Sequence, residues 1–310
     1  MIELTVQSSV IVPNEASQSY AGACTNCRFV LPPLNKAAPI FFERGAVTCS
    51  NCNSEVDLWE AALGHSFSWS PVSLGATHTS FLKEIETGMF HKIDLADYGA
   101  PPDARILSMT YTGQGGPDGA VTVLEWHSNA SHQRYIGTVV SLFGVPFGEG
   151  KLPRVGTVAI SANWIHREES DAWPYLVSAI ESVATQDYSP ALVFAQSAVE
   201  ISLMPLIARR FERYASHQRV EDFMSGDLTY GHALNVVLPY ICGELGIRQL
   251  PDDIRGSLNK LRKRRNEIVH QGVKSQSITE KEAMEGMTAA AFGFEYARYM
   301  REWISGHPAD

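Results

Sequence analysis

An arginine, an asparagine and a histidine stand close together near the end of the chain, as Arg265, Asn266 and His270. A histidine can move protons near neutral pH, and a guanidinium group stays charged and can stabilise the oxygens of a phosphorane. Together they suit attack of a ribose 2′-hydroxyl on the adjacent phosphodiester, a reaction that needs no metal ion and that makes RNA the substrate. The spacing by itself is weak, because it also arises by chance in a basic, solvated helix that ends with a histidine.

The three residues are predicted to lie on one helix. Pro251 and the two aspartates after it are typical of a helix start, and Gly272 is typical of a stop. Arg265 falls in phase with the apolar stripe of this helix, where a buried guanidinium needs a partner. Asn266 and His270 are four residues apart and share another face, and in the last turn the helix dipole favours a protonated His270. The apolar stripe consists of Ile254, Leu258, Leu261, Ile268 and Val269.

Basic side chains are concentrated in the same helix. We expect four of them to contact the RNA backbone, namely Lys260, Arg262, Lys263 and Arg264. The alternative is a solvated helix face, which is the usual position of such a run.

The segment Arg-Arg-Asn-Glu-Ile-Val-His-Gln-Gly, residues 264–272, resembles the signature of the HEPN superfamily of all-helical domains. In that family an arginine, a polar residue, a short spacer and a histidine form the motif, and Arg265, Asn266 and His270 occupy these places. The resemblance covers roughly residues 168–305. It implies a bundle of four or five helices and a metal-independent endoribonuclease that joins the motifs of two chains in one cleft. Many members are toxins or antiviral effectors, whereas others have lost activity and bind nucleotides or partners.

The helices that precede the motif are predicted from their own periodicity and capping residues. One begins near Asp171, a second runs from Ser189 to about Tyr214, and a third from about Thr229 to Leu245. A capping box at Thr279 opens a final helix. In the second helix, Glu200 shares the apolar stripe, so we expect it to pair with Arg265 and to hold its guanidinium. The alternative is a plain salt bridge between helices without catalytic consequence.

Four cysteines near the other end of the chain form two pairs, each with two residues between the cysteines. Cys24 and Cys27 are separated from Cys49 and Cys52 by 21 residues, a spacing that predicts a zinc ribbon with a tetrahedral site of four cysteines. Four thiolates leave no open position for water, so the Zn²⁺ is expected to be structural. Disulfides are disfavoured, since they would leave Cys242 unpaired and no secretory segment is recognised.

The region between the cysteines and the helices reads as β structure. Alternating residues and turn residues predict strands at 105–112, 120–127, 134–143 and 155–161. The expected fold is therefore α+β with three parts. Residues 1–60 form an N-terminal strand and the zinc ribbon, residues 61–165 form a β-rich domain of unknown role, and residues 166–310 form the all-α HEPN-like domain.

Composition limits the partners and the compartment. The 310 residues carry a formal charge of −9, which argues against broad coating of nucleic acid and favours a local basic cleft. No apolar stretch is judged long enough to span a bilayer and no targeting segment is recognised, so we expect a cytoplasmic protein without a membrane partner.

These features together predict a homodimeric, metal-independent endoribonuclease that serves as a toxin or antiviral-defence effector. His270 is the expected general acid or base, Arg265 the clamp on the phosphate and transition state, and Asn266 an orienting hydrogen-bond partner. Arg265 and His270 point too far apart on one helix to share a phosphate, so a second chain is expected to complete the site. A regulatory protein or antitoxin is a possible further partner. The alternative is a catalytically silent HEPN module that acts as a nucleotide or nucleic-acid sensor or adaptor.

Overall fold

The computed structural model describes residues 22–64, 69–71, 73–113, 115–116, 119–125, 137–147, 155–166, 171–271 and 278–306. It combines helices and sheets, as the α+β prediction requires, and divides into two compact units. One unit contains residues 76–168. The other joins residues 19–75 to the helical region 169–310.

The described residues between 76 and 166 form two antiparallel sheets. The three-stranded sheet has the order β5-β11-β7 and the four-stranded sheet the order β6-β10-β9-β8. Buried side chains from both sheets form one apolar core, in which Ile85, Leu142 and Ile160 are fully enclosed. The strands are β5 (Thr77–Glu86), β6 (Phe90–Asp94), β7 (Ala104–Gly113), β8 (Gly115–Gly116), β9 (Gly119–Glu125), β10 (Val139–Phe147) and β11 (Val155–His166).

The strands predicted at 105–112, 120–127 and 155–161 correspond to β7, β9 and β11, and residues 126–127 of the second prediction lie outside the described part of the chain. The prediction for 134–143 overlaps β10, and its first residues lie outside the described part of the chain. The sequence pattern did not predict β5 and β6. In β5 only Phe81 and Ile85 are buried, so the apolar alternation that marks a half-buried strand is thin there.

The helical region contains α3 to α9. The helix α9 lies at its centre and packs against α3, α4 and α8, and four of its aromatic residues are buried, namely Phe292, Phe294, Tyr296 and Tyr299. A π-helical turn, Ala233–Val237, interrupts the third predicted helix, and α5 was not predicted. The helices are α3 (Trp173–Ala184), α4 (Tyr188–Phe211), α5 (His217–Gly226), α6 (Tyr230–His232), α7 (Leu238–Leu245), α8 (Asp252–Gln271) and α9 (Glu280–Gly306).

The cysteine segment belongs to the same unit as these helices. It holds four two-residue strands, β1 (Gly22–Ala23), β2 (Val30–Leu31), β3 (Val47–Thr48) and β4 (Glu55–Val56), with α1 (Leu34–Arg44) and α2 (Leu58–Leu63). The ring centroids of Phe42 and Tyr296 lie 5.1 Å apart, and those of Trp59 and Phe292 lie 5.3 Å apart.

The two compact units therefore do not divide the chain near residue 60. Four two-residue strands cannot enclose the apolar faces of α1 and α2, so these faces are buried against α9.

One helix also corrects the expectation about apolar stretches. By length and composition α4 could cross a membrane, with a mean hydropathy of 1.7 over its most apolar stretch. More than half of that stretch is buried, and an apolar helix in the core of a bundle has the same composition.

Candidate functional site

The four cysteine sulfur atoms converge at the end of the cysteine segment. The Sγ atoms of Cys24 and Cys52 lie 3.8 Å apart and those of Cys27 and Cys49 lie 3.6 Å apart, and all four fall within 4.8 Å of one another. A zinc ion with four sulfur ligands at about 2.3 Å requires sulfur separations of about 3.8 Å. A disulfide would need about 2.05 Å. The cluster therefore has the dimensions of a metal site.

Two tight backbone turns bring the sulfurs together. Arg28 and Asn53, the residues that follow Cys27 and Cys52, both have positive φ, 61° and 57°. In each turn the residue after the second cysteine donates its N–H to the carbonyl oxygen of the first, with N···O distances of 2.9 Å. Equivalent turns around both pairs aim all four thiols at one point, which is what a tetrahedral ligand set needs.

The surroundings favour the thiolate form at Cys24 and Cys52. Hydrogen bonding between the side chains of Cys52 and Ser54, 3.3 Å apart, lowers the pKa of Cys52 to about 6. Backbone hydrogen bonding at Cys27 lowers the pKa of Cys24. At Cys49, the backbone hydrogen bonds are outweighed by burial and by hydrogen bonding with the Cys27 and Cys24 thiols, which raise the pKa to about 11. The fifth cysteine, Cys242, is buried elsewhere beside Tyr296, and burial raises its pKa. It takes no part in the cluster.

Arg265, Asn266 and His270 lie on one continuous helix, α8, as the sequence predicts. Arg265 is half-buried, and its Nη1 donates to Oδ1 of Asn266 over 3.1 Å. His270 is exposed in the last turn. The structure thus joins Arg265 to Asn266, whereas His270 lies five positions after Arg265, which turns the two side chains about 140° apart around the helix.

The expected ion pair between Glu200 and Arg265 is not found among the hydrogen bonds and salt bridges of the described residues. Glu200 lies near Tyr230 instead. Burial raises the pKa of Tyr230, and the negative charge of Glu200 raises it further, whereas the positive charge of Arg262 lowers it. Glu200 therefore faces a different part of α8 from the one expected, because the wheel of a single helix does not show which neighbour lies opposite.

The four basic residues assigned to RNA are distributed around α8. Lys260 and Lys263 are exposed, while Arg264 forms ion pairs with Glu267 at 2.9 Å and Glu282 at 3.5 Å. Arg262 lies against Gly231, where an added Cβ would come within 2.6 Å of its Nη1. Only Lys260 and Lys263 are therefore exposed in the way that contact with a phosphate backbone requires.

A groove of about 360 Å³ opens beside α8, on the side away from Arg262. Three basic residues, Lys260, Lys263 and Arg264, line it together with Glu267 and two further glutamates, Glu282 and Glu285, of α9. The mixture of charges leaves no strongly positive surface in the groove.

Sequence reasoning missed a buried polar residue close to this helix. Gln196 is 1% exposed, and its side-chain amide lies close enough to the hydroxyl of Tyr230 to oppose the rise in the pKa of that tyrosine, although the two groups do not meet in hydrogen-bond geometry. Gln196 lies one helical turn before Glu200 on α4. A glutamine in phase with Leu192 and Val199, four residues before it and three after it, is the sequence feature that could have drawn attention to it.

No protein-family model matches the chain, and no curated protein or solved structure shows significant similarity to it.

Proposed function

We propose that the protein is a homodimeric, metal-independent endoribonuclease whose active site combines Arg265, Asn266 and His270 of two chains. The observation that carries the proposal is the hydrogen bonding and exposure of these side chains on α8. The guanidinium of Arg265 is held by Asn266, and the imidazole of His270 projects into solvent at the end of the helix. A preorganised cation and an accessible proton carrier are what cleavage by a ribose hydroxyl needs.

The angle between the two side chains supports the dimer. Since Arg265 and His270 diverge by about 140° on one helix, a phosphate near one imidazole is out of line with the guanidinium of the same chain. A twofold axis close to α8 would bring the arginine of one chain to the histidine of the other.

In the proposed reaction, the ribose 2′-oxygen attacks the adjacent phosphorus and forms a bond to it, and the bond to the 5′-oxygen breaks. His270 accepts the proton of the 2′-hydroxyl or supplies the proton that the leaving oxygen takes up, and Arg265 stabilises the equatorial oxygens. The products are a 2′,3′-cyclic phosphate and a 5′-hydroxyl.

Cleavage of total RNA in EDTA tests the activity. We expect the wild type to cut, and His270→Ala to lose on the order of 10²-fold or more in rate, as loss of a general acid or base does. His217→Ala is the matched control, because His217 is a helical histidine of the same unit with an 81% exposed side chain. The proposal fails if the wild type does not cut, or if both variants cut equally.

A mixing experiment tests the shared site. Arg265→Ala and His270→Ala chains are each expected to be inactive, whereas random pairing makes half of the dimers mixed, each with one intact site of two. Activity should then recover to about a quarter of the wild-type value. No recovery after the chains have exchanged would contradict a site built from two chains.

We propose Zn²⁺ as the metal of the cysteine cluster, with a structural role. Four sulfur ligands satisfy a tetrahedral ion and leave no position for water or substrate. Because α1 and α2 pack on α9, the ion would stabilise the helical unit as well as its own turns.

One alternative is a silent HEPN module that binds a nucleotide in the groove beside α8 and signals to a partner. Lys260 and Lys263 could contact phosphates there, but Glu267, Glu282 and Glu285 would repel them. Titration with a nucleotide separates the two functions, because tight binding without RNA cleavage supports the sensor.

A further inference from the structure

The outer face of the three-stranded sheet carries a line of hydrogen-bonding side chains. His78 and Ser80 alternate with inward-facing residues on β5, and Ser161 and Asn163 do the same on β11. The strand register places Ser161 opposite Ser80 and Asn163 opposite His78, and Ser108 of β7 pairs with Asn163 from the other side.

The distances join these side chains into one chain of hydrogen bonds. Ser161 Oγ lies 2.7 Å from Ser80 Oγ, which lies 2.7 Å from Nε2 of His78. On the far side of the imidazole ring, Nδ1 lies 3.0 Å from Oδ1 of Asn163. The Nδ2 of Asn163 in turn donates to Ser108 Oγ over 2.9 Å.

The chemistry of these groups determines which of them donates and which accepts in each hydrogen bond. The amide oxygen of Asn163 can only accept, so Nδ1 of His78 carries the proton and Nε2 of the neutral ring is left as an acceptor. The hydroxyl of Ser80 therefore donates to Nε2, and its own oxygen accepts from the hydroxyl of Ser161. A serine that donates to an imidazole held in this tautomer by a third group is the arrangement of an activated nucleophile.

We propose that Ser80 is a nucleophile that accepts the acyl group of a small carboxylic ester, with His78 as its general base and Asn163 as the residue that orients the imidazole. Ser80 is exposed and open to a substrate, whereas His78 and Asn163 are half-buried. The backbone N–H groups of the central strand β11 are used in hydrogen bonds to the neighbouring strands β5 and β7. The hydroxyl of Ser161 is therefore the donor for the developing oxyanion. This site lies in the other unit from α8 and is independent of the nuclease proposal.

The reaction balances without a cofactor. Ser80 Oγ forms a bond to the carbonyl carbon as its proton passes to Nε2 of His78, and the bond to the alkoxy group breaks as that proton passes to the leaving oxygen. Water then attacks the acyl-serine with its proton taken by the same imidazole. The carboxylic acid leaves and the serine hydroxyl is restored.

A fluorophosphonate probe tests the nucleophile directly, since the serine oxygen bonds to phosphorus and fluoride departs. We expect the folded full-length protein to take up one probe, mapped to Ser80 by peptide mass spectrometry, and the heat-denatured protein to take up none. Ser80→Ala should abolish labelling, and His78→Gln should slow it on the order of a hundredfold. Thr110→Ala, which removes an exposed hydroxyl opposite Ser161, is the matched control and should label at the wild-type rate.

The role of Asn163 is tested by two substitutions. Asn163→Asp keeps the acceptor for Nδ1 and should retain labelling, whereas Asn163→Leu should slow it about as much as His78→Gln. Circular dichroism and thermal melting of every variant distinguish loss of the nucleophile from loss of the fold. Labelling at another serine, equal labelling of the denatured protein, or an unchanged rate in folded His78→Gln would each overturn the proposal. The His270→Ala variant should label normally, so failure of the nuclease proposal leaves this result unaffected.

Discussion

Truncating Phe42 to alanine should unfold the helical region far more easily, although Phe42 belongs to the cysteine segment. Phe42 is 1% exposed and lies against three rings, with centroids 5.8 Å away at Phe41, 5.1 Å at Tyr296 and 5.8 Å at Tyr299. Two of these rings come from α9, the central helix of the bundle. The substitution therefore leaves a cavity between the cysteine segment and the helices.

Truncation of a buried phenylalanine costs about 3 to 5 kcal/mol, a large part of the roughly 5 to 15 kcal/mol that stabilises a whole domain. With a urea dependence of about 2 kcal/mol per molar, the midpoint of unfolding should fall by about 1.5 to 2.5 M. The matched control is Phe29→Ala in the same segment. Phe29 is 44% exposed, so its truncation should change the free energy of unfolding by only about 0.5 kcal/mol.

Urea titration followed by the helical circular dichroism signal measures both variants, with zinc content determined in parallel. Most of the helix lies in the region 171–306, so the signal reports on the bundle and not on α1 alone. If Phe42→Ala releases metal while the helical midpoint stays at the wild-type value, the cysteine segment is an independent appendage and the reasoning from packing is refuted.

Three further predictions concern the same unit. Cys49→Ser, or chelation of zinc from the wild type, should lower the melting temperature of the bundle together with metal content, and a loss of metal at constant melting temperature would contradict the structural role. Arg210 holds the pKa of Glu244 below its ordinary value of 4.5, so the stabilisation from this ion pair is present above about pH 4.5 and is lost as the pH falls through the lowered pKa. Glu244→Gln should therefore flatten the acid side of the plot of stability against pH. Parallel plots for the wild type and the variant would contradict this prediction. Gly286→Ala places a Cβ 2.4 Å from a leucine methyl of α4 and should lower the free energy of unfolding by about 1 kcal/mol, because overpacking outweighs the gain in helix propensity. Gly243→Ala meets nothing within 4 Å and should raise the free energy of unfolding by up to about 1 kcal/mol. If urea titration shows that both variants change it in the same direction, the comparison is refuted.

The spacing of residues in the sequence was sufficient to predict the cysteine cluster and the helix α8. Two cysteine pairs predict a metal cluster because each pair needs only one tight turn, and the apolar period of residues 254–269 predicts α8 because a helix is a repeating local structure. The phase of Arg265 on the inner side of α8 follows from the same period, and its side chain is half-buried as that phase implies.

Tertiary structure alone decided what lies opposite each of these residues. A helical wheel states that Glu200 faces inward, but the packing of α4 and α6 places it near Tyr230 and not in an ion pair with Arg265. The hydrogen bonds from His78 to Asn163 and from Ser80 to Ser161 depend on the register between strands that are more than eighty residues apart in sequence. The cysteine segment packs on α9 because its own short strands cannot bury its aromatic residues. The sequence does not show that α9 supplies the surface that covers them.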